Sequence, residues 1–207
     1  MRKQAKDSNN MKTAILKYNA GNIRSVLFAL ERLGVEATVT DDPEELRSAD
    51  KVIFPGVGEA STAMNYLKER RLDELIKDLQ QPVLGICLGM QLMCKHSEEN
   101  DTACMGIFDL PVKKFESPVK NLLKIPQIGW NNVAGLHSVI FEHVPENSYM
   151  YFVHSYYVAL GPETTAIANY IINYSAALQK DNFYAVQFHP EKSADAGQQL
   201  IESFLKL

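Results

Sequence analysis

The chain has 207 residues, 46% of them hydrophobic and 22% charged, with a formal net charge of −4 at pH 7. That is length and apolar content enough for one α/β domain with a sizeable core, and the charge does not suggest a nucleic-acid surface. The three cysteines, Cys87, Cys94 and Cys104, form no Cys-x-x-Cys pair, so a disulfide framework or a zinc site is not expected and a reducing compartment fits. The longest apolar stretch, Val83 to Cys94, is interrupted by glycines and too short to cross a bilayer. Residues 1–10 are polar, with Arg2, Lys3 and Lys6 but no apolar run behind them. They read as a disordered extension rather than a secretory signal, ahead of one domain over residues 11–207.

Lys12 to Leu16 reads as a first strand. Asn22 is placed to cap a helix whose apolar positions Ile23, Val26, Leu27, Leu30 and Leu33 follow helical spacing, and Gly34 to end it. Val35 to Val39 alternates as a second strand, and Asp42-Pro43 opens a short helix. Lys51 to Phe54 is a third strand, ending in Pro55-Gly56-Val57-Gly58, with one long helix expected from Ala60 to Leu79. Pro82 to Ile86 is a buried strand, and Met90 to Cys94 reads as helix. This β-α alternation predicts an open, mostly parallel sheet flanked by helices. Further on, Gly106–Phe115, Ser138–Phe141, Tyr149–His154, Thr165–Tyr170, Ala176–Gln179 and Phe183–Phe188 read as strands, several joined by short turns. An added antiparallel region in the C-terminal half is therefore expected. Ser193 is placed to cap a closing helix, Ala194 to Leu205, and Glu98–Thr102 and Ser117–Lys124 read as weakly structured.

Chemistry concentrates at two places. Gly85-x-Cys87-x-Gly89 joins strand to helix with the spacing of a nucleophile elbow, sulfur replacing the serine oxygen. A residue on so sharp a turn is crowded, and glycines two positions either side remove the clashing side chains. Cys87 then meets a helix N-terminus, which favours thiolate, and the Leu88 amide points at the same space. The second place is His189-Pro190-Glu191, reached by the strand ending at Phe188. In extended backbone residues i and i+2 share a side, and the proline keeps His189 out of helix, so Glu191 can orient the imidazole. A cysteine, a histidine and an orienting carboxylate make a cysteine-hydrolase triad. A small buried cysteine in a tight turn is the bland alternative for Cys87 alone.

Gly85-Ile86-Cys87-Leu88-Gly89-Met90-Gln91 together with Phe188-His189-Pro190-Glu191 resembles the class I glutamine amidotransferases. Pro55-Gly56-Val57-Gly58, Pro190-Glu191-Lys192-Ser193 and the turn Tyr18-Asn19-Ala20-Gly21-Asn22 narrow the resemblance to the glutaminases that serve imidazole glycerol phosphate synthases. The resemblance runs from about Met11 to the end of the chain. It implies glutamine hydrolysis through a thioester on Cys87, with His189 and Glu191 completing the triad and with no metal or organic cofactor. It implies an oxyanion hole from the Leu88 amide and a loop amide near Gly58, and substrate contacts from Gln91 and from the backbone around Ser155 and Tyr156. It also implies a cytoplasmic heterodimer in which ammonia passes to a (β/α)₈-barrel cyclase. The docking surface would draw on Tyr18, Asn19, Asn22, Trp130, Tyr156 and Lys192. In this family the first turn reads Tyr-Gly-x-Gly-Asn after an aspartate; here Lys17 and Asn19 depart from that pattern.

Other readings stay open on the residues themselves. The Gly56–Gly58 loop is either a flexible turn or an amide donor, Gln91 an ordinary helix glutamine or a substrate contact, and Trp130 a core residue or an interface anchor. His154 reads as a satisfied core histidine, and His96, His137 and His143 as structural or surface groups. Asn173-Tyr174-Ser175 matches a glycosylation acceptor but has no secretory context. A glutaminase serving another synthase would share the triad; a self-contained cysteine hydrolase of the same fold would share the elbow but need no partner.

Overall fold

The computed structural model describes residues 11–19, 21–117 and 123–207. The extension read at residues 1–10, Ala20 of the first turn and residues 118–122 of the stretch read as weakly structured lie outside the described residues.

In chain order the elements are β1 (Thr13–Leu16), α1 (Ile23–Arg32), β2 (Ala37–Thr40), α2 (Pro43–Ser48), β3 (Lys51–Gly56), α3 (Ala60–Glu69), α4 (Leu72–Asp78), β4 (Val83–Cys87), α5 (Leu88–Met93), β5 (Cys94–Ser97), β6 (Thr102–Ala103), β7 (Phe108–Lys114), β8 (Gln127–Asn132), β9 (Tyr149–His154), β10 (Tyr156–Val158), β11 (Thr164–Asn169), β12 (Asn173–Lys180), β13 (Phe183–Val186) and α6 (Ala194–Leu205). The main sheet has 11 strands in the order β2-β1-β3-β4-β13-β12-β10-β7-β5-β6, with β11 added beside β12, and β8 pairs with β9 in a separate ribbon. From β2 to β13 every pairing is parallel. Beyond β13 the pairings turn antiparallel, except between β5 and β7. The expected architecture of a mostly parallel sheet with an antiparallel C-terminal half is the one observed.

Helices cover both faces, so β3 and β4 are buried along their whole length, as continuous apolar runs in parallel sheets are. Alternate residues feed opposite layers. Ala14, Leu16, Val52 and Phe54 pack with Met64, Leu67, Leu75 and Leu92. Ile15, Ile53, Leu84 and Ile86 pack with Val26, Leu30, Leu200 and Phe204. Each such aliphatic side chain contributes about 1.5–3 kcal/mol when fully buried.

Several expectations need correcting. The single helix over Ala60–Leu79 is two, because Arg71 is left-handed with φ 56°. The reason is a slip of phase. Ala60, Ala63, Met64 and Leu67 are buried, and the next turns of that face would present Arg71 and Glu74. The chain's apolar residues instead resume at Leu72, Leu75 and Ile76, one position out of register. One residue outside helical geometry restores the buried face. Ser138–Phe141 is not a strand; Val139–Phe141 forms a 3-10 turn capped by the Ser138 hydroxyl, which accepts from Ile140 N. Glu98–Thr102 is not loose: Glu99–Asp101 is a 3-10 turn leading into β6. Asn22 and Ser193 precede helices but make no side-chain cap. Asn22 contributes its carbonyl, which accepts from Ser25 and Val26.

Candidate active site

β4 and β13 lie side by side and parallel, Ala185 opposite Gly85 and Val186 opposite Ile86. Their carboxyl ends therefore bring the Cys87 turn and the His189 segment together, on the edge where open α/β sheets carry their sites. Cys87 has φ 54° and ψ −108°, a strained conformation for a residue with a side chain, and Leu88 begins α5 immediately after it. The turn survives because the neighbouring backbone is bare. Gly56 pairs with Cys87 across β3 and β4. A Cβ on Gly56 would stand 2.7 Å from Gly89 N and 2.6 Å from the Tyr18 hydroxyl, and one on Gly89 would collide with the Phe54 carbonyl oxygen. Gly89→Ala is thus expected to destabilise the chain by at least the about 1–3 kcal/mol of an overpacked core, read as a lower urea midpoint. An unchanged midpoint would mean that α5 does not need this close approach.

His189 is buried, and its Nδ1 lies 2.9 Å from Glu191 Oε1, itself buried. Cys87 and His189 line one pocket, and Cys87 acts on the imidazole's titration. Burial alone would lower the imidazole pKa; the hydrogen bonds to Cys87 and Glu191, and their charges, outweigh it and hold the group above its ordinary value. His189 is also fixed through its backbone. Its N–H donates to Tyr151 O at 2.9 Å, and its carbonyl accepts the Ser193 hydroxyl at 2.6 Å. The same Ser193 oxygen accepts from Tyr151 N at 3.0 Å. Ser193, expected as a helix cap, instead fastens the His189 segment to β9.

A cavity of about 320 Å³ opens over Cys87 and His189, at the small end of ligand pockets. Val57, Gly58, Leu88, Gln91, Ser155 and Tyr156 line it, so the expected oxyanion and substrate residues share one space with the triad. Leu88 N–H is the first amide of α5 and has no acceptor within the helix. Gly58 has φ 110°, which only glycine adopts readily.

The pocket refines two expectations. Gln91 uses both amide hydrogens, donating to Tyr156 O at 3.0 Å and to Gln187 Oε1 at 2.9 Å, so its own Oε1 is the atom left for a ligand. The Tyr156 carbonyl also accepts from His154 Nδ1 at 2.7 Å, and with both lone pairs engaged it is not free for a substrate ammonium. His154 is the satisfied core histidine the sequence suggested. Donating from Nδ1 leaves Nε2 unprotonated beside the Tyr174 hydroxyl, 3.3 Å away, whose own proton goes to Gln127 Oε1, and burial lowers the His154 pKa to about 4.

Sequence reasoning missed Glu99, Pro126, Val153 and Lys192 as pocket residues. Glu99 is a half-buried carboxylate that accepts from Ala60 N at 2.8 Å. Its pKa is raised by burial, against the Ala60 hydrogen bond, with Glu59 nearby adding to the rise. Glu59 caps α3 through Ser61 and Thr62 and accepts from Asn100, which ties the Gly58 loop to the turn carrying Glu99. No local pattern could have shown a pairing across 41 residues.

Of the residues expected on a docking surface, Asn19 and Lys192 are exposed and Asn22 is partly so. Tyr18 is not: it is buried, and its hydroxyl donates to Pro55 O at 2.7 Å, bracing the glycine loop from below. Trp130 is 53% exposed, which excludes the core reading. It packs edge-on against Tyr151 on the β8–β9 ribbon. The register sets Ile128 opposite Val153, Trp130 opposite Tyr151 and Asn132 opposite Tyr149. Ile128 and Tyr149 are also exposed, so this ribbon face is an aromatic and aliphatic patch that runs to Val153 at the pocket. Among the described residues no group of His, Cys, Asp or Glu is arranged to hold a metal ion, and no helix is long and apolar enough to cross a membrane.

A nucleophile elbow on a parallel sheet, with histidine and glutamate from the segment that follows the neighbouring strand, defines a class. Residues 14–207 match the model of the class I glutamine amidotransferases, and the chain belongs to that family. Over 197 residues it is 59% identical to the imidazole glycerol phosphate synthase subunit HisH of Bacteroides fragilis, covering 95% of this chain and all of that one. The corresponding subunit of Yersinia pseudotuberculosis is 45% identical over 201 residues, again covering 95% of this chain and all of that one. A crystal structure of a glutamine amidotransferase, 18% identical, superposes with a TM-score of 0.70 over 93% of this chain and 96% of that one, which shows the common fold.

Proposed function

We infer that this chain is the glutaminase subunit of an imidazole glycerol phosphate synthase, acting in histidine biosynthesis. The observation that carries the reading is the union of a buried Cys87–His189–Glu191 arrangement with 59% identity, over 95% of the chain, to a subunit of that name. Residues 11–207 act as one amidotransferase domain.

The parts divide the chemistry as follows. Cys87 attacks the side-chain carbonyl carbon of glutamine. The amides of Leu88 and of the loop at Gly58 stabilise the negative oxygen of the tetrahedral intermediate. His189, held protonated by its two partners, gives its proton to the departing nitrogen. Ammonia leaves and a glutamyl thioester remains on Cys87. His189 then accepts a proton from the water that attacks this thioester, and glutamate is released. Glu191 keeps the imidazole in place and stabilises its cationic form. Gln91 Oε1 and the Glu99 carboxylate are the acceptors suited to the substrate's ammonium group, and Ser155 borders the same pocket. No metal or organic cofactor enters these steps.

Ammonia set free in water is protonated and is no longer a nucleophile, so the product is worth making only beside a second active site. The partner is a cyclase subunit built as a (β/α)₈ barrel, in a cytoplasmic heterodimer. The exposed ribbon face of Ile128, Trp130 and Tyr149, continuous with the pocket at Val153, suits such a partner, with Lys192 at the pocket and Asn19 and Asn22 following the carboxyl end of β1. Trp130→Ala is expected to weaken the heterodimer by 2 kcal/mol or more, about thirtyfold in Kd, as truncation of a central aromatic anchor does. Calorimetry would read it, and since Trp130 is half exposed the isolated subunit should keep its unfolding midpoint. Wild-type affinity in this variant would move the interface elsewhere.

The test of the function is glutamine hydrolysis by the subunit alone and with the cyclase and its ligand. Little turnover alone and strong turnover in the loaded complex is the expected result. Equal turnover in both would favour a self-contained hydrolase.

A further inference from the structure

Gln187 is fully buried, and each polar end of its side chain is engaged at the site. Its Nε2 lies 3.7 Å from Cys87 Sγ, and its Oε1 accepts from Gln91 Nε2 at 2.9 Å. Its backbone N–H donates to Ala176 O at 2.8 Å, which fixes where the side chain starts. Gln187 lies two residues before His189, in the bend that follows β13, and both residues act on Cys87. Neither the triad nor the oxyanion donors account for it.

We propose that Gln187 is a further catalytic residue: its carboxamide donates a hydrogen bond to the Cys87 sulfur, aiming the nucleophile and favouring its anionic form, while its oxygen ties that donor to Gln91 in the substrate pocket. The inference rests on Cys87 being the nucleophile.

The two contacts at the sulfur differ in kind. Val153 O, 3.9 Å from Sγ, is a carbonyl and only accepts, so it serves the protonated thiol alone. Gln187 Nε2 donates, so it serves the thiolate, which only accepts. Deprotonation therefore removes the Val153 contact and strengthens the Gln187 contact, which becomes a hydrogen bond to a charged acceptor. A carboxamide in a fully buried position is costly unless both its ends are bonded, and packing alone would be met by methionine or leucine. The chain Tyr156 O, Gln91, Gln187, Cys87 Sγ also runs unbroken from the pocket to the nucleophile. A substrate group that donates to Gln91 Oε1 is thus joined to the sulfur through two side chains, Gln91 and Gln187.

The test uses the full chain, with iodoacetamide as the probe and mass mapping of the Cys87 peptide to exclude Cys94 and Cys104. Wild type is compared with Gln187→Met, which keeps the volume but loses donor and acceptor, and with Gln187→Glu, which keeps the shape and the acceptor for Gln91. Alkylation at pH 7 is expected to slow by about tenfold to a hundredfold, as loss of a hydrogen bond to a charged group implies. The rate profile should move to higher pH in both variants, furthest in Gln187→Glu. In the heterodimer with its cyclase, the Gln187→Glu loss should fall on kcat for glutamine and leave KM nearly unchanged. A purely packing role would instead spare Gln187→Met and leave both profiles where they are. Wild-type rates and profiles in either variant overturn the inference, while glutamine turnover retained in Cys87→Ala would overturn the reading beneath it.

Discussion

Cys87→Ala is expected to leave no measurable ammonia release from glutamine, while the assembled synthase still turns over on added ammonium. The first half follows from geometry. Cys94 and Cys104 are free thiols, but burial raises both above the ordinary thiol range, Cys104 to about 11, and neither lines the pocket. No other sulfur can take over. The second half follows from the division of labour: the cyclase site lies on another chain and needs only the nitrogen. Residual hydrolysis in nucleophile variants of triad enzymes is about 10³–10⁴ over water at best, far below turnover. Glutamine-dependent synthesis persisting in Cys87→Ala would remove the cysteine from its assigned role.

His189→Asn is expected to be nearly as severe, with kcat reduced by about 10²–10⁴ or more, because the imidazole moves a proton in both half-reactions. Its cationic form also stabilises the thiolate, so iodoacetamide labelling of Cys87 should slow in parallel. Glu191→Gln should cost less. An amide in place of the carboxylate keeps a hydrogen-bonding group 2.9 Å from Nδ1 and loses only the charge and the preferred tautomer. Steady-state kinetics of the three heterodimers orders them, and equal losses in Glu191→Gln and His189→Asn would require Glu191 to do more than orient.

The triad was legible because each piece is local. Gly85-x-Cys87-x-Gly89 declares a bare turn, and His189-Pro190-Glu191 declares an extended pair, so sequence spacing already implies direction. The parallel half was legible because its strands are apolar throughout and its helices keep their phase. What stayed hidden is what depends on distant partners or on an inverted pattern. β8 was missed because it hides Gln127 and shows Ile128 and Trp130, the reverse of a normal strand. Gln127 is tolerated inside because its side-chain oxygen accepts the Tyr174 hydroxyl at 3.0 Å, a partner 47 residues away. The α3–α4 break was missed because the signal is a single-residue slip, with arginine rather than glycine at the left-handed position. Glu99 sits in a stretch whose polarity reads as solvent-exposed loop, and contacts with Ser97, Thr102 and Ala60, with Asn100's bond to Glu59, order it. Tyr18 was misplaced for the opposite reason: a tyrosine in a polar turn looks exposed, yet its hydroxyl has a buried acceptor at Pro55.

The place of β13 between β4 and β12 has a consequence for how the protein comes into being. Cys87 and Gln187 stand 100 residues apart in the chain and touch in the fold. At about 5–20 residues per second of synthesis, the nucleophile emerges some 5–20 seconds before the strand that leads into its histidine. Throughout that interval β4 has no parallel neighbour on one side, and its row of backbone groups is an open edge. The elbow can form early, since the run from β3 through α3, α4 and β4 to α5 is already translated. The proton-transfer half cannot. A nascent or truncated chain therefore carries the thiol without the imidazole that activates it, and the competent enzyme exists only once the penultimate element has slid into the middle of the sheet. Proofreading of the finished fold is built into the order of translation: a chain that can hydrolyse glutamine is one whose sheet has closed.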